Sequence, residues 1–475
     1  MNTPTHNSGS RTGAINRILR YFDEGEFETE LGNRVRYRTE SQKFDCADSI
    51  KELHRYLDED IIPAFTACGF DCKKYNNPLG RGGPFLLASR IEADALPTVL
   101  GYGHGDVIHG QEDQWTRGNG PWQIQRDGDR LYGRGTADNK AQHTINIAAL
   151  RAVIQERGAL GFNAKFLLEM GEEAGSAGLR DLLEKHTAQF SADVFIGSDG
   201  PRMSPQRPTV TLGSRGAINF DLRVELRKGG HHSGNWGGLI ADPAIVLSHA
   251  IASITSASGQ IKIDDWLPPP TPPSVQAVLK DLVIEAGPDA PEIDPNWGEP
   301  GMTPAARVYS WNSFAVLAMQ AGNPDKPVNA IAAWANAHCQ LRFFAGTNAD
   351  RLLPALREHL DANGFAQVTI ETPDKNAASF AASRTEPDHP WVQCIASSIA
   401  HTTGEPPAII PSMGGSICND LFTDLLDLPA IWIPHSYAAC SQHAPNEHIL
   451  LSVTRSALPL MTGLYWDIGD GMVPK

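Results

Sequence analysis

The chain has 475 residues, 41% hydrophobic and 20% charged, with a formal net charge of −15. That length allows two or three domains with a sizeable core, and the composition excludes a disordered polymer. An acidic surface repels phosphate backbones, so nucleic acid is not an expected partner, and no window approaches the roughly 20 apolar residues of a membrane span. The opening stretch "MNTPTHNSGSRTGAINRILRYFDEGEFE" lacks the apolar core of a signal peptide, and the seven cysteines are too scattered for a disulfide framework. These features predict a soluble, cytoplasmic protein.

In "CADSIKELHRYLDEDIIPAFTACG", Ile50, Leu53, Leu57, Ile61 and Phe65 fall on one helical face. The runs "GPFLLASRIE" and "LPTVLGYGHGD" read as neighbouring strands. "AQHTINIAALRAVIQERG" is a predicted helix closed by Gly158, followed by a buried strand at "NAKFLLEM", a helix at "SAGLRDLLEKH" and a strand at "ADVFIGSDG". Such alternation predicts an α/β fold: a doubly wound, mostly parallel sheet with helices on both faces.

The pattern changes near residue 212. "TVTLGSRGAINFDLRVELR" alternates apolar and polar positions like a sheet with one wet face. The stretches "WLPPPTPPS" and "GPDAPEIDPNWGEPGMTP" read as stiff, extended connections outside the core. "AHCQLRFFAG", "ADRLLPALREHLDANG" and "AQVTIET" make a strand-helix-strand unit, after which the α/β style returns with "WVQCIASSIAHTTG" and "LPAIWIPHS". The expected organisation is a catalytic domain (1–212 and 374–475) interrupted by an inserted α+β domain of roughly residues 213–373.

In open α/β sheets, ligands bind beyond the carboxyl ends of the strands. His104 and Asp106 end one predicted strand, Glu172 and Glu173 another, and Asp199 a third. Asp138 precedes the helix over 141–157, and His443 follows the last strand. Singly, each has a plain structural reading: a core histidine, a helix cap at Asp138, a turn at Asp199-Gly200, a surface loop at His443. Together they supply the imidazoles and carboxylates that bind Zn²⁺ at about 2.0–2.2 Å. Five ligands (His104, Asp138, Glu173, Asp199 and His443) are more than one metal needs. Sharing Asp138 would give each of two metals three ligands, with room for a bridging water between ions about 3.5–4 Å apart. Glu172, adjacent to a ligand yet pointing elsewhere, would be the general base, and Asp106 would orient the His104 ring.

"GHGDV", "GRGTADNK", "EMGEEAGS", "SDG" and "HAPNEH" occur in the order and at the approximate spacings of a known family. The chain resembles, from about residue 15 to 470, the co-catalytic zinc peptidases: acetylornithine deacetylase, succinyl-diaminopimelate desuccinylase, aminoacylase, glutamate carboxypeptidase and the carnosinase-type dipeptidases. The resemblance implies a zinc exopeptidase-like catalytic domain and a lid and dimerisation role for the inserted one. It makes His104 and Asp199 terminal ligands of one metal, Glu173 and His443 those of the other, and Asp138 the bridge. Glu172 matches the family's general acid/base. His232, within "GGHHSGNWGG", matches a histidine that in dimeric members reaches the neighbouring subunit's site to stabilise an oxyanion. Asn329 and Arg342 match substrate contacts, the arginine holding a carboxylate through parallel hydrogen bonds. Gly414, Gly415 and Ser416, in "SMGGSICND", match a substrate loop offering backbone N–H groups. Cys440 lies three residues before His443, and since the family uses only the histidine it reads as structural. Ser412-Met413 stands where dipeptidase-like relatives usually carry Arg-Glu, and Ala332 where a proline is common; both departures bear on specificity.

The leading expectation is a hydrolase with two divalent metals (Zn, with Mn and Co as alternatives) that cleaves an amide next to a free carboxylate, as a dipeptidase or carboxypeptidase does. It would act as a homodimer on small peptides. An N-acyl amino acid deacylase or small-molecule amidohydrolase is the second reading, and a non-catalytic ligand-binding homologue a third, against which the intact Glu172 and five ligands argue.

Overall fold

The run Asn163–Glu169 sends successive side chains into opposite apolar layers, Phe166 and Leu168 into one and Leu167 into the other. It lies inside an eight-stranded sheet of the computed structural model, which describes residues 9–42, 46–284, 292–372 and 381–474. In chain order the strands of the molecule's two main sheets are β1 (Asp71–Tyr75), β2 (Phe85–Arg90), β3 (Thr98–His104), β4 (Asn163–Glu169), β5 (Val194–Gly197) and β6 (Thr209–Thr211). Then come β7 (Gly216–Glu225), β8 (Ser313–Ala321), β9 (Trp334–Phe343) and β10 (Val368–Glu371), and finally β11 (Ala408–Ile410) and β12 (Ala430–Trp432).

The larger sheet runs β1-β2-β4-β3-β5-β12-β6-β11. Its middle, β4-β3-β5-β12, is parallel, so these strands deliver their carboxyl ends to one edge. β1 and β2 add on antiparallel at one side. β6 is antiparallel to β12 and parallel to β11 at the other. One expectation is corrected: β2 and β3 are not neighbours, because β4 lies between them. The crossover through the helix Lys140–Arg157 returns the chain on that side, and local apolar patterning carries no information about pairing partners.

Helices cover both faces. Arg11–Asp23, Lys140–Arg157, Pro390–Thr403 and Leu451–Gly469 pack on the layer containing Phe166. Leu179–Phe190 and the turn Leu421–Leu425 pack on the layer containing Leu167. Each buried Leu or Phe in these layers contributes about 1.5–3 kcal/mol. The helix Lys140–Arg157 stops at Gly158, which takes φ +85° and donates its N–H to Ile154, a turn that a Cβ would disfavour. Leu53, Leu57, Ile61 and Phe65 are buried on one face, as their spacing predicts, although the helix widens by a π-type turn over Leu57–Ile61.

The second sheet, β8-β9-β7-β10, is antiparallel throughout. The helices Pro243–Ile254 and Ala349–Ala362 bury Phe220, Leu222 and Val224 against it. β8 is an edge strand with most side chains exposed. The proline-rich arm departs from its expected role as mere connection. Trp266 is fully buried, its indole N–H donating to Leu352. Pro273 starts a short helix, Pro273–Leu279, whose Val275 and Leu279 pack with Ala408 and Ile410. The prolines set the helix start, and the apolar residues between them have a core to join. The expected boundary at 373 and the start of the loop at 287 lie outside the described residues. Among those residues no helix is long and apolar enough to cross a membrane.

Candidate active site

His104 is the last residue of β3, and Asp199 follows β5 by two residues; both are buried at the carboxyl edge of the parallel strands. Glu172 and Glu173 sit in a one-turn helix just past β4. Asp138 precedes the helix Lys140–Arg157. His443 arrives on a loop after β12 with φ +59°, a left-handed conformation uncommon for a histidine.

Asp138 stands at the centre. Its Oδ1 lies 2.9 Å from His104 Nε2, and its Oδ2 lies 3.1 Å from His443 Nε2. His104 Nε2 is also 3.7 Å from Asp199 Oδ2, and His443 Nε2 is 2.9 Å from Glu173 Oε2. Two ligand trios result, His104–Asp138–Asp199 and Asp138–Glu173–His443, with the donor atoms of each within 4.8 Å of one another. Glu172 belongs to neither trio, and its Oε2 is 4.0 Å from His104 Nε2.

The electrostatics fit cations at this place. Burial, together with the Asp138 charge, pushes Glu173 up to about 7 and Asp199 up to about 6. Burial also pushes Glu172 well up, with Asp199 and Glu173 adding to the shift. Burial opposes ionisation of Asp138, yet hydrogen bonds from His104 and His443 hold it well below the usual carboxylate range. Hydrogen bonds to Asp138 and Glu173 bring His443 up to about 10. Crowded carboxylates of this kind are relieved by positive charge, and one imidazole with two carboxylates per trio is a donor set suited to zinc and similar ions.

Asp106 supports both halves of the cluster. Its backbone carbonyl is 3.1 Å and its Oδ1 3.4 Å from His104 Nδ1, while its two carboxylate oxygens accept the N–H groups of Glu172 and Glu173 at 3.2 and 3.1 Å. The carbonyl is thus the nearer partner of the ring, and the carboxylate chiefly holds the glutamate turn.

Three further residues, which sequence reasoning did not single out, complete the surroundings. Glu447 Oε1 accepts the backbone N–H groups of Gly135, Ala137 and Asp138 at 3.0, 2.9 and 3.1 Å, and its Oε2 takes a 2.8 Å ion pair from Arg134. Gln442 donates its amide to Asp138 Oδ2 at 2.5 Å. Asn139 ties the same loop to Ser198 through a 2.8 Å bond. Glu447 and Asn139 lie within the quoted motifs "HAPNEH" and "GRGTADNK", but nothing in their spacing links them to partners some 300 or 60 residues away. Cys440 is buried beside Ala137 and Tyr437, and burial pushes its thiol up to about 12, so it stays protonated.

A cavity of about 420 Å³ opens onto Asp138, Glu172, Asp199 and His443. Gly414, Gly415 and Ser416 line its wall. Arg342, on β9, donates to Ser416 Oγ at 3.1 Å without itself lining the cavity. His232 and Asn329 lie together in the chain between β7 and β9. His232 pairs with Ala330, and the N–H after it bonds the Asn329 carbonyl at 2.9 Å. Neither is among the described residues that line this cavity, and the His232 side chain is exposed.

Residues 100–465 match the model of peptidase family M20/M25/M40. The chain belongs to this family. Among curated relatives, the Beta-Ala-His dipeptidase of Mus musculus is 37% identical over 186 residues, 38% of this chain and 37% of that protein. The chain therefore matches little more than a third of that relative's length. The cysteinylglycine-S-conjugate dipeptidase of Corynebacterium striatum is 30% identical over 336 residues, 68% of this chain and 70% of that protein. Among solved structures, human carnosine dipeptidase 1 superposes with a TM-score of 0.76 at 20% identity, covering 96% of this chain and 99% of that one. That likeness carries the fold.

Proposed function

We propose that this family member is a di-metal dipeptidase acting on a small peptide with a free carboxylate. The observation that carries the reading is the pair of ligand trios sharing Asp138, with Glu172 beside them in the cavity but outside both. The dipeptidase names of its M20 relatives support the substrate class.

His104, Asp138 and Asp199 would hold one ion and Asp138, Glu173 and His443 the other, zinc being the expected metal with Mn²⁺ and Co²⁺ as alternatives. When bound, such ions polarise the scissile carbonyl and make water a better acid. Glu172 takes the proton from the attacking water and returns it to the departing amine, so one water and one amide become an acid and an amine. Asp106 keeps Glu172 and Glu173 in register by accepting both their backbone N–H groups. The Gly414–Ser416 backbone orients the substrate carboxylate, and Arg342, held on Ser416 outside the cavity lining, would turn inward to join it.

His232 and Asn329 serve the site of a second copy, with roughly residues 213–373 acting as lid and dimerisation domain. The exposed edge strand β8, with Leu317 60% and Met319 45% exposed, supports a homodimer contact there. All seven cysteines are free thiols, which supports a reducing, cytoplasmic compartment.

The test is amine release from a mixed panel of dipeptides and N-acyl amino acids, with and without chelator. Chelator-sensitive cleavage confined to dipeptides is expected. Preference for the N-acyl half would replace this reading with a deacylase, and cleavage indifferent to chelator would remove the metals from it.

A further inference from the structure

Away from the metal-ligand residues, much of the cavity lining is apolar. Met203, Ile284, Tyr309, Ile410, Met413 and Ile417 form this wall. Ile284 lies just past the helix Pro273–Leu279 and Tyr309 ends a second short helix, Pro304–Tyr309; both pack in the cluster that contains Ile410 of β11. Met413 rests on the second apolar layer of the large sheet together with Ile417.

Of the polar side chains that line the cavity, Ser416, Gln442 and Arg202 are engaged, while the Thr211 and Tyr309 hydroxyls have no partner among the described residues. Ser416 gives its hydroxyl proton to the Arg215 carbonyl, through a 2.6 Å bond. Gln442 gives its amide to Asp138. Arg202 reaches the carbonyls of Pro434 and Pro205 and the Ser456 hydroxyl. A polar substrate side chain entering here would find only the Thr211 and Tyr309 hydroxyls in exchange for water, and each of its polar groups left unpaired would cost about 1–3 kcal/mol. An apolar one would gain about 0.8 kcal/mol for each methylene buried. A volume of about 420 Å³ lies within the usual range for small-molecule sites, and two methionines give the wall an adaptable shape.

We infer that the cavity selects peptides carrying a bulky apolar side chain, such as leucine, methionine or phenylalanine, seated between the proline-rich arm and Met413. This inference rests on the dipeptidase reading for its substrate class, but the apolar wall is independent of the chemistry at Glu172.

The test compares isosteric pairs on the metal-loaded wild-type protein: Leu against Asn and Met against Gln, each placed first or second in a dipeptide with glycine, with β-alanyl-histidine and cysteinylglycine alongside. A kcat/KM about 10- to 100-fold higher for the apolar member, at one of the two positions, is expected. Met413→Gln should shrink that ratio severalfold, while the wild-type comparison stands even if this variant fails to fold. Cleavage without an apolar preference would overturn the inference and leave the dipeptidase reading intact. Should no dipeptide be cleaved, calorimetric binding of the same pairs decides. Tighter binding of Leu-Gly or Gly-Leu than of its Asn counterpart sustains the inference while the dipeptidase reading falls. Equal binding, or none, overturns the inference as well.

Discussion

Arg134 closes on Glu447 at 2.8 Å, and both side chains are only 1% exposed. Glu447 uses its other oxygen to gather the backbone N–H groups of Gly135, Ala137 and Asp138. Asp138, which the two candidate trios share, is therefore positioned by a buried ion pair one layer behind it. Removing the arginine leaves a buried carboxylate without its counter-charge. Arg134→Ala should destabilise the fold by about 3–5 kcal/mol in urea unfolding. Its metal affinity should fall by about 10- to 100-fold. An unchanged unfolding midpoint together with an unchanged metal Kd would show that the pair supports neither.

Glu172 is outside both ligand trios. Glu172→Gln should lower turnover by about 10²- to 10⁴-fold. Elemental analysis should still find two metals per chain. Loss of one metal along with activity would make Glu172 a ligand instead of the base.

Glu30 lies 2.7 Å from both the Arg34 and the Arg151 guanidinium. Burial alone would raise its pKa, but the two cations hold it down to about 2. A depressed carboxylate stabilises the fold above its unfolded pKa of about 4.3, and that contribution is lost as pH falls toward the folded value. Glu30→Gln should therefore cost about 3 kcal/mol at neutral pH. The gap from wild type should close as the pH drops from about 4.5 toward 2. A gap that stays constant over this window would mean the glutamate acts by shape and not by charge.

For the second copy, β8 is the element to alter. Leu317→Lys should convert a dimer to monomer in sedimentation velocity, and a wild-type protein that is already monomeric would end the proposal. Given a dimer, mixing inactive Glu172→Gln and His232→Ala chains should restore part of the activity after subunit exchange. No recovery would confine His232 to its own subunit or to none.

The sequence made legible those features that local pattern encodes. The helix ending at Gly158, the face carrying Leu53 to Phe65 and the alternating strands follow from periodicity and from one left-handed glycine. The acidic and histidine-bearing turns were legible because parallel strands send their ends to one edge, so residues 104, 173 and 199 converge whenever the sheet forms. What was not legible lies in long-range pairing. The insertion of β4 between β2 and β3, the bonds from Glu447 to the 135–138 loop and the folding of the proline-rich arm onto Ile410 join segments whose local composition says nothing of each other. Prolines in particular suggested connection, while the apolar residues among them found a surface to cover.

The place of β12 in the large sheet sets a timetable for making the protein. It sits between β5 and β6, although β5 ends at Gly197 and β12 begins only at Ala430. At about 5–20 residues per second of synthesis, a ribosome needs roughly ten to fifty seconds to cross that interval. Throughout it, β5 carries an unpaired edge, and Asp138, Glu173 and Asp199 wait for His443. The nascent chain is thus exposed to edge-to-edge aggregation while about half of these 475 residues are made. The candidate metal site, if it includes His443, can close only after nearly the last strand has emerged.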